Sequence, residues 1–388
     1  MTTTAGVVPA LLVAAAAMPA IGTPAHAQTY NILHRFQGSP DGELPFYGHL
    51  VWDQAGYLYG TASAGGASGR GAVFKVDASG ETVLYSFAGT PDGETPFGGL
   101  FRDSTGILYG TTTGGGVPGS YGTVFKLDTD GTETVLYRFK GGADGANPYA
   151  GVTRDEAGNL YGTTYSGGAA NGGVVFKLDP AGNETVLHSF TGAPDGQDPY
   201  AGVILDASGN LYGVTYGGGA AGWGVAFKLD PDGNETLLHT FTGGADGGLP
   251  SSGLILDSSD NLYGTAGSGG TTGWGVVFKL DPSGAETVLY TFMGQPDGGE
   301  PLACLLRDAA GNLYGTTNTG GATNHGAVFE LDAAGHETVL HGFTGGEGGA
   351  YPYDGLIEDQ AGNLYGTALK GGSGTGPSGH GVVFQLEP

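Results

Sequence analysis

The sequence predicts an all-β chain closed into a seven-bladed β-propeller of four-stranded antiparallel blades. Three observations carry this. Leu-Tyr-Gly occurs seven times, with Tyr at 59, 109, 161, 212, 263, 314 and 365, so that copies recur every 50 to 52 residues, the mark of a repeat array. Each copy contains four short runs rich in β-branched and aromatic residues, separated by turn chemistry, and no segment shows a helical apolar stripe. The two ends of the chain are complementary pieces of one unit.

In the copy around Tyr212, the first strand is expected at Gly202 to Asp206 and the second at Asn210 to Tyr216. A Gly-rich loop leads to the third at Gly224 to Leu229, and the fourth runs from Glu235 to Phe241. Asp206-x-x-Gly209 and Asp230-x-x-Gly233 suit tight hairpins, because Asp bonds its own turn backbone and Gly takes positive φ. Four antiparallel strands in about 51 residues make a propeller blade. The longest connection, from each terminal Phe to the next first strand, crosses between blades and puts the first strand nearest the axis.

The chain opens with a fourth-strand sequence, Tyr30 to Phe36, and closes with a third-strand sequence, Gly381 to Leu386, followed by Glu387 and Pro388. Pairing the ends completes the last blade and removes an exposed strand edge. A linear solenoid would want polar caps instead. At the start of the first strands the chain places Gly48, Gly99, Gly151, Gly202 and Gly253, then Cys304, then Gly355, a series suited to crowding around an axis. Cys304 reads as a small core residue. One extra residue between Pro45 and Asp53 suggests a bulge at His49.

Val7 to Gly22 is apolar and is followed by Ala25-His26-Ala27, so residues 1–27 read as a secretory signal cleaved near Ala27, leaving a propeller of residues 28–388. The run is shorter than the roughly 20 residues of a spanning helix and carries Pro9 and Pro19, so no membrane span is expected. A secreted or periplasmic monomer follows. The single Cys allows no intramolecular disulfide, so stability must come from burial and backbone pairing.

The net charge of −25 disfavours nucleic acid as a partner. Most of the acid belongs to the repeat: Asp opens the first hairpin seven times, Asp or Glu387 the second, Asp or Glu347 precedes Gly in the crossing loop, and Glu starts six fourth strands. Together these are 27 of 38 acidic residues. Turn and edge roles explain them, with solubility as a consequence. No cofactor or metal is therefore expected. Calcium is the one ion the acidic loops could take, and no Asp-x-Asp-x-Asp-Gly loop accompanies it.

Familiar catalytic signatures are missing. Two Gly-x-Gly-x-x-Gly matches, at 217–222 and 374–379, lead into no helix. There is no Gly-x-Ser-x-Gly elbow and no phosphate-binding Gly-Lys-Ser/Thr. His336-Glu337 and His341 do not form a His-Glu-x-x-His pair. His34, His188, His239 and His341 share one fourth-strand position with Tyr85, Tyr137 and Tyr290, which reads as packing between blades.

One position changes character from blade to blade, four residues before the third-strand Phe. It reads Arg70, Tyr121, Gly172, Trp223, Trp274, His325 and His380. It lies on the face of the crossing loops, with their Asp-Gly and Pro-aromatic pairs. A repeated scaffold with a diverse rim is how repeat folds build recognition surfaces. Trp223 and Trp274 would form an aromatic arc, and aromatic faces beside carboxylates suit a sugar. Closure would gather His325, His380 and Arg70 into a second arc.

The unit Asp-Gly-x-x-Pro-Tyr-x-Gly-Leu, Asp-x-x-Gly-Asn-Leu-Tyr-Gly-Thr-Thr, Gly-x-Val-Phe-Lys-Leu-Asp and Thr-Val-Leu-His-x-Phe resembles the GloVer (Gloeo/Verruco) tandem-repeat family over residues 30–388. The resemblance implies an exported bacterial repeat protein without an established activity, often carrying a C-terminal sorting anchor. This chain has no such anchor, which favours release or periplasmic residence. The expected function is non-catalytic binding of a glycan, or of an extracellular or envelope protein, through Arg70, Tyr121, Trp223, Trp274, His325 and His380. The alternatives are an extracytoplasmic lyase or hydrolase using His325, His380 and Arg70 as acid, base and charge clamp, or a purely structural or assembly role.

Overall fold

The computed structural model describes residues 28–77, 80–372 and 379–387. The expected signal segment, residues 1–27, lies outside them, as does most of the Gly-x-Gly-x-x-Gly match at 374–379. Seven four-stranded antiparallel sheets follow one another along the chain. In the fourth blade the strands are Ile204–Leu205, Leu211–Thr215, Val225–Leu229 and Glu235–Thr240, paired in that order. The first hairpin forms as its residues dictate. Asp206 Oδ1 accepts from the Ser208 and Asn210 amides at 2.8 and 2.9 Å, Oδ2 accepts from the Tyr212 hydroxyl at 3.1 Å, and Gly209 sits at φ +85°.

The ring closes as the complementary ends require. Thr29–Arg35 pairs antiparallel with Val382–Glu387, from Thr29 opposite Glu387 to Arg35 opposite Val382. This strand completes the sheet of Ile357–Glu358 and Leu364–Ala368.

Packing between blades rests on phenylalanine pairs. The Phe ending each fourth strand meets the third-strand Phe of the next blade edge-to-face, as in Phe190 with Phe227 at 5.2 Å and Phe241 with Phe278 at 5.1 Å. Closure repeats the contact with Phe36 on Phe74 at 5.1 Å. All six rings are fully buried. The third-strand ring explains the glycine of Leu-Tyr-Gly, since a Cβ on Gly213 would lie 2.7 Å from Phe227 Cζ.

Four sequence expectations are corrected. The first strands pair over only two residues, because the stretch before each, such as Ala201–Val203, leaves the ladder to line the axis. The extra residue of the first blade is accommodated at Tyr47, which takes φ +53°, and no bulge forms at His49. His49, not Gly48, then faces Gly99 in the axial series: a Cβ on Gly99 would lie 3.1 Å from the His49 amide. The bulge the sequence hid lies in every fourth strand, where the register shifts opposite the third strand, as between Ala226 and Phe227.

The shared His/Tyr position packs between blades as expected, with His341 stacked on Tyr30 of the next blade at 3.8 Å. The fourth correction concerns the crossing-loop acids beside it. Six of the seven side chains at this position contact the crossing-loop Asp, as in Tyr137 to Asp144 at 2.9 Å and Tyr290 to Asp297 at 2.6 Å, with His34 and Asp41 in contact at 3.1 Å. In the seventh loop the equivalent residue is Gly348. Glu347 beside it is exposed and lies 4.0 Å from Arg35, so it is no counterpart of the Asp series. Tyr30 there replaces the strand-opening Glu and donates to the Gly348 carbonyl at 2.8 Å.

Candidate functional site: the crossing-loop face

The variable position owes its freedom to the backbone. Its carbonyl accepts from the amide of the residue preceding the crossing-loop Pro in the next blade. The series runs Thr95 to Arg70, Asn147 to Tyr121, Asp198 to Gly172, Leu249 to Trp223, Glu300 to Trp274, Tyr351 to His325 and Leu44 to His380, at 2.7 to 2.9 Å. Each donor residue has φ between +52° and +58°. Every blade is thus stitched to the next through the main chain, and the side chain at the stitch is free to differ.

Apart from Gly172, which has none, each side chain then packs on the loops beside it, and those loops are fitted to it. Trp223 covers Gly243 and Gly248, where an added Cβ would come within 2.4 and 2.8 Å of the indole. Trp274 covers Gly294 and Gly299 in the same way, at 2.6 Å each. Tyr121 covers Gly119 and Gly141. Arg70 instead pairs with Glu94, and His380 Nδ1 with Glu43, at the loop position that holds Gly248 and Gly299 under the tryptophans. His325 contacts Thr323 Oγ1 at 3.2 Å and packs near Tyr351. No contact among the described residues joins Arg70, His325 and His380 to one another; each is engaged within its own blade pair. The two Trp rings, on adjacent blades, remain 36% and 38% exposed.

Inside this rim, an aromatic collar surrounds the axis. Tyr353, Phe46, Phe97, Tyr149 and Tyr200 follow in ring order, with successive centroids 4.6 to 5.3 Å apart. The fifth and sixth blades carry Ser251 and Leu302 instead, and Tyr47 reaches across that gap, 6.1 Å from Tyr200 and 5.6 Å from Tyr353. Beneath lies a cavity of about 350 Å³, walled by residues from all seven blades, among them Leu100, Val203, Leu254 and Leu305. His49, Cys304 and Asp354 also line it. Depth in the protein lowers the His49 pKa and pushes the Cys304 thiol up to about 11. None of the three was marked as a site residue by sequence reasoning. The available signal was departure from the repeat, since Asp354 stands where other blades carry Gly48, Gly98, Ala150, Ala201, Ser252 and Ala303.

Two outer clusters, His34–Asp41–Glu81 and His188–Asp195–Glu235, bring potential metal-ligand atoms within 4.8 Å of one another. Tyr85, Tyr137 and Tyr290 occupy the His position in three other blades and bond the same Asp, so the arrangement serves the blade whether or not a ligand nitrogen is present.

These features define a seven-bladed propeller built from one repeated unit, with a patterned loop face and a lined axial cavity. The chain belongs to the Gloeobacter/Verrucomicrobia repeat family, whose model matches residues 23–208 and 198–388. No curated protein sequence matches it. Among solved structures it is similar to the extracellular domain of the "putative one component system BT4673 from B. thetaiotaomicron". The identity is 11% and the TM-score 0.58, with 92% of this chain and 40% of that one covered, so this chain spans about two fifths of that relative. It is also similar to a "putative 6-phosphogluconolactonase from Bacteroides uniformis ATCC 8492", at 17% identity and a TM-score of 0.54, covering 82% of this chain and 89% of that one. At such identities the likeness shows the fold alone.

Proposed function

We propose that this propeller is an exported, non-catalytic binding module that takes a glycan on its crossing-loop face, with Trp223 and Trp274 as the stacking platforms. One observation carries the proposal. The two indoles sit on adjacent blades, each with one face seated on two glycines and about a third of its surface open. Rings held this way lose little freedom when a sugar's C–H face stacks on them. Glu300, whose amide bonds the Trp274 carbonyl, carries its carboxylate toward Asn318, whose Nδ2 lies 3.4 Å from Oε2. Tyr121, Arg70, His325 and His380 extend the same rim and would tune which polymer fits. Export rests on the apolar segment and Ala25-His26-Ala27; no helix among the described residues is long and apolar enough to cross a membrane.

The protein has three tryptophans, and Trp52 packs at a blade junction against Tyr365, with centroids 4.9 Å apart. In a Trp52→Phe variant the emission comes only from the two platforms. Titration of that variant with a panel of polysaccharides should give a saturable change in emission with at least one of them. A flat response to every member would overturn the proposal.

A further inference from the structure

The axial cavity has a polar inventory with an uneven sense. Asp354 is only 2% exposed. Its Oδ2 accepts from the Thr367 hydroxyl, while Oδ1 is buried and makes no well-formed hydrogen bond; burial pushes the carboxyl up to about 7, against the Thr367 hydroxyl and the Gly48 amide beside it, so it is ionised at pH 8. The Ser251 hydroxyl, 3% exposed, is likewise buried, with the Tyr47 hydroxyl beside it. His49 reaches into the same space, and its depth in the protein favours the neutral imidazole. No Lys or Arg lines the cavity. A buried acceptor without a donor costs free energy on the order of 1 to 3 kcal/mol, and more for a charged one, so the cavity lacks what a donor-bearing ligand would bring.

The shape narrows the class of ligand. The volume, about 350 Å³, falls in the range of small-molecule sites. A metal ion fits poorly: Cys304 Sγ accepts from the Gly253 amide at 3.1 Å, the His49 ring leans over Gly99, and Asp354 is already tied to Thr367. Among the described residues the clusters whose ligand atoms come within 4.8 Å of one another lie elsewhere, at His34–Asp41–Glu81 and His188–Asp195–Glu235. An organic cation fits on each count. Its ammonium would meet Asp354 Oδ1, its body would lie against the apolar wall, and the phenol rings of Tyr47, Tyr200 and Tyr353 at the mouth offer the faces that cations favour. A net charge of −25 would draw such a ligand in.

We propose that the axial cavity is a second binding site, separate from the tryptophan rim, which takes a small primary ammonium compound with Asp354 Oδ1 as acceptor. The extra residue of the first blade gains a purpose in this arrangement, because Tyr47 is the ring that spans the gap left by Ser251 and Leu302.

The test is calorimetric titration of the full chain at pH 8 with benzylamine, using benzyl alcohol as the neutral isostere. Benzylamine should bind saturably, at least tenfold more tightly than the alcohol, and Asp354→Asn should weaken it at least tenfold while leaving the alcohol unaffected. Should Asp354→Asn fail to fold, Tyr47→Leu provides the second variant, since it removes the phenol ring that spans the gap left by Ser251 and Leu302; it should weaken benzylamine binding at least threefold and leave the alcohol unaffected. Trp223→Ala/Trp274→Ala should bind benzylamine as the parent does, which keeps this site distinguishable from the glycan platform. Absence of saturable binding, or equal affinity in the parent and in Asp354→Asn or Tyr47→Leu, would overturn the proposal.

Discussion

The amide of Leu44 donates to the carbonyl of His380 at 2.7 Å. This is the same bond that joins Leu249 to Trp223 in the middle of the chain, at 2.9 Å, so the seam between the two ends is built like any other junction between blades. The Phe36–Phe74 contact repeats the internal Phe pairs in the same sense.

If the seam is equivalent to the internal junctions, Phe36→Ala should cost as much as Phe190→Ala. Both remove a fully buried ring, for which losses of about 3 to 5 kcal/mol are usual. Chemical denaturation of the two variants checks this, and a Phe36 variant close to the parent would argue that the ring is closed by other contacts.

Gly213→Ala should destabilise by about 1 to 3 kcal/mol, because its methyl would press on Phe227 Cζ at 2.7 Å inside a packed blade. The same change at Gly56, which has φ +86° but nothing within 4 Å of an added Cβ, probes backbone strain without the clash. Thermal unfolding of the pair separates the two costs.

Stability should fall as pH rises above about 5. Burial, with neighbouring Asp residues adding to it, pushes Glu133, Glu286 and Glu337 up to about 7 and Glu81 up to about 8. Oε1 of each of these four is buried without a partner. The native state therefore keeps protons that the unfolded chain releases from about pH 4.5 upward, and the stabilisation present below that value is lost through pH 7 to 8. The hairpin Asp residues act at the other end: although burial works upward, hydrogen bonds led by that of the Asn261 side chain hold Asp257 down at about 2, so their contribution is lost only in strong acid. The melting temperature should be at least about 3 °C lower at pH 8 than at pH 5, and Glu286→Gln should reduce the difference.

The blades, the closure and the location of the variable rim were legible in the sequence because each follows from local pattern: a period, turn residues, and two complementary ends. The interior of the face was not. That Tyr85 or His34 meets a crossing-loop Asp depends on the fourth-strand bulge, which no single residue type announces. The paired loss of Asp and Glu at Gly348 and Tyr30 becomes visible only once the ends are brought together. His49 and Asp354 are placed by the ring, from blades at opposite ends of the chain, so their shared cavity has no trace in linear spacing.

Because the stitch at the variable position is a main-chain bond, Trp223→Ala/Trp274→Ala should melt close to the parent despite losing two large side chains. A loss of more than about 2 kcal/mol would mean that the indoles serve chiefly as lids on Gly243 and Gly294.

The most direct test of the glycan proposal is depletion of the protein from solution by insoluble polysaccharides, comparing the parent with Trp223→Ala/Trp274→Ala. The parent should be depleted saturably by at least one polymer, and the folded double variant should stay in solution with that same polymer. Equal depletion of both proteins, or depletion of neither by any polymer, would contradict the assignment of the crossing-loop face.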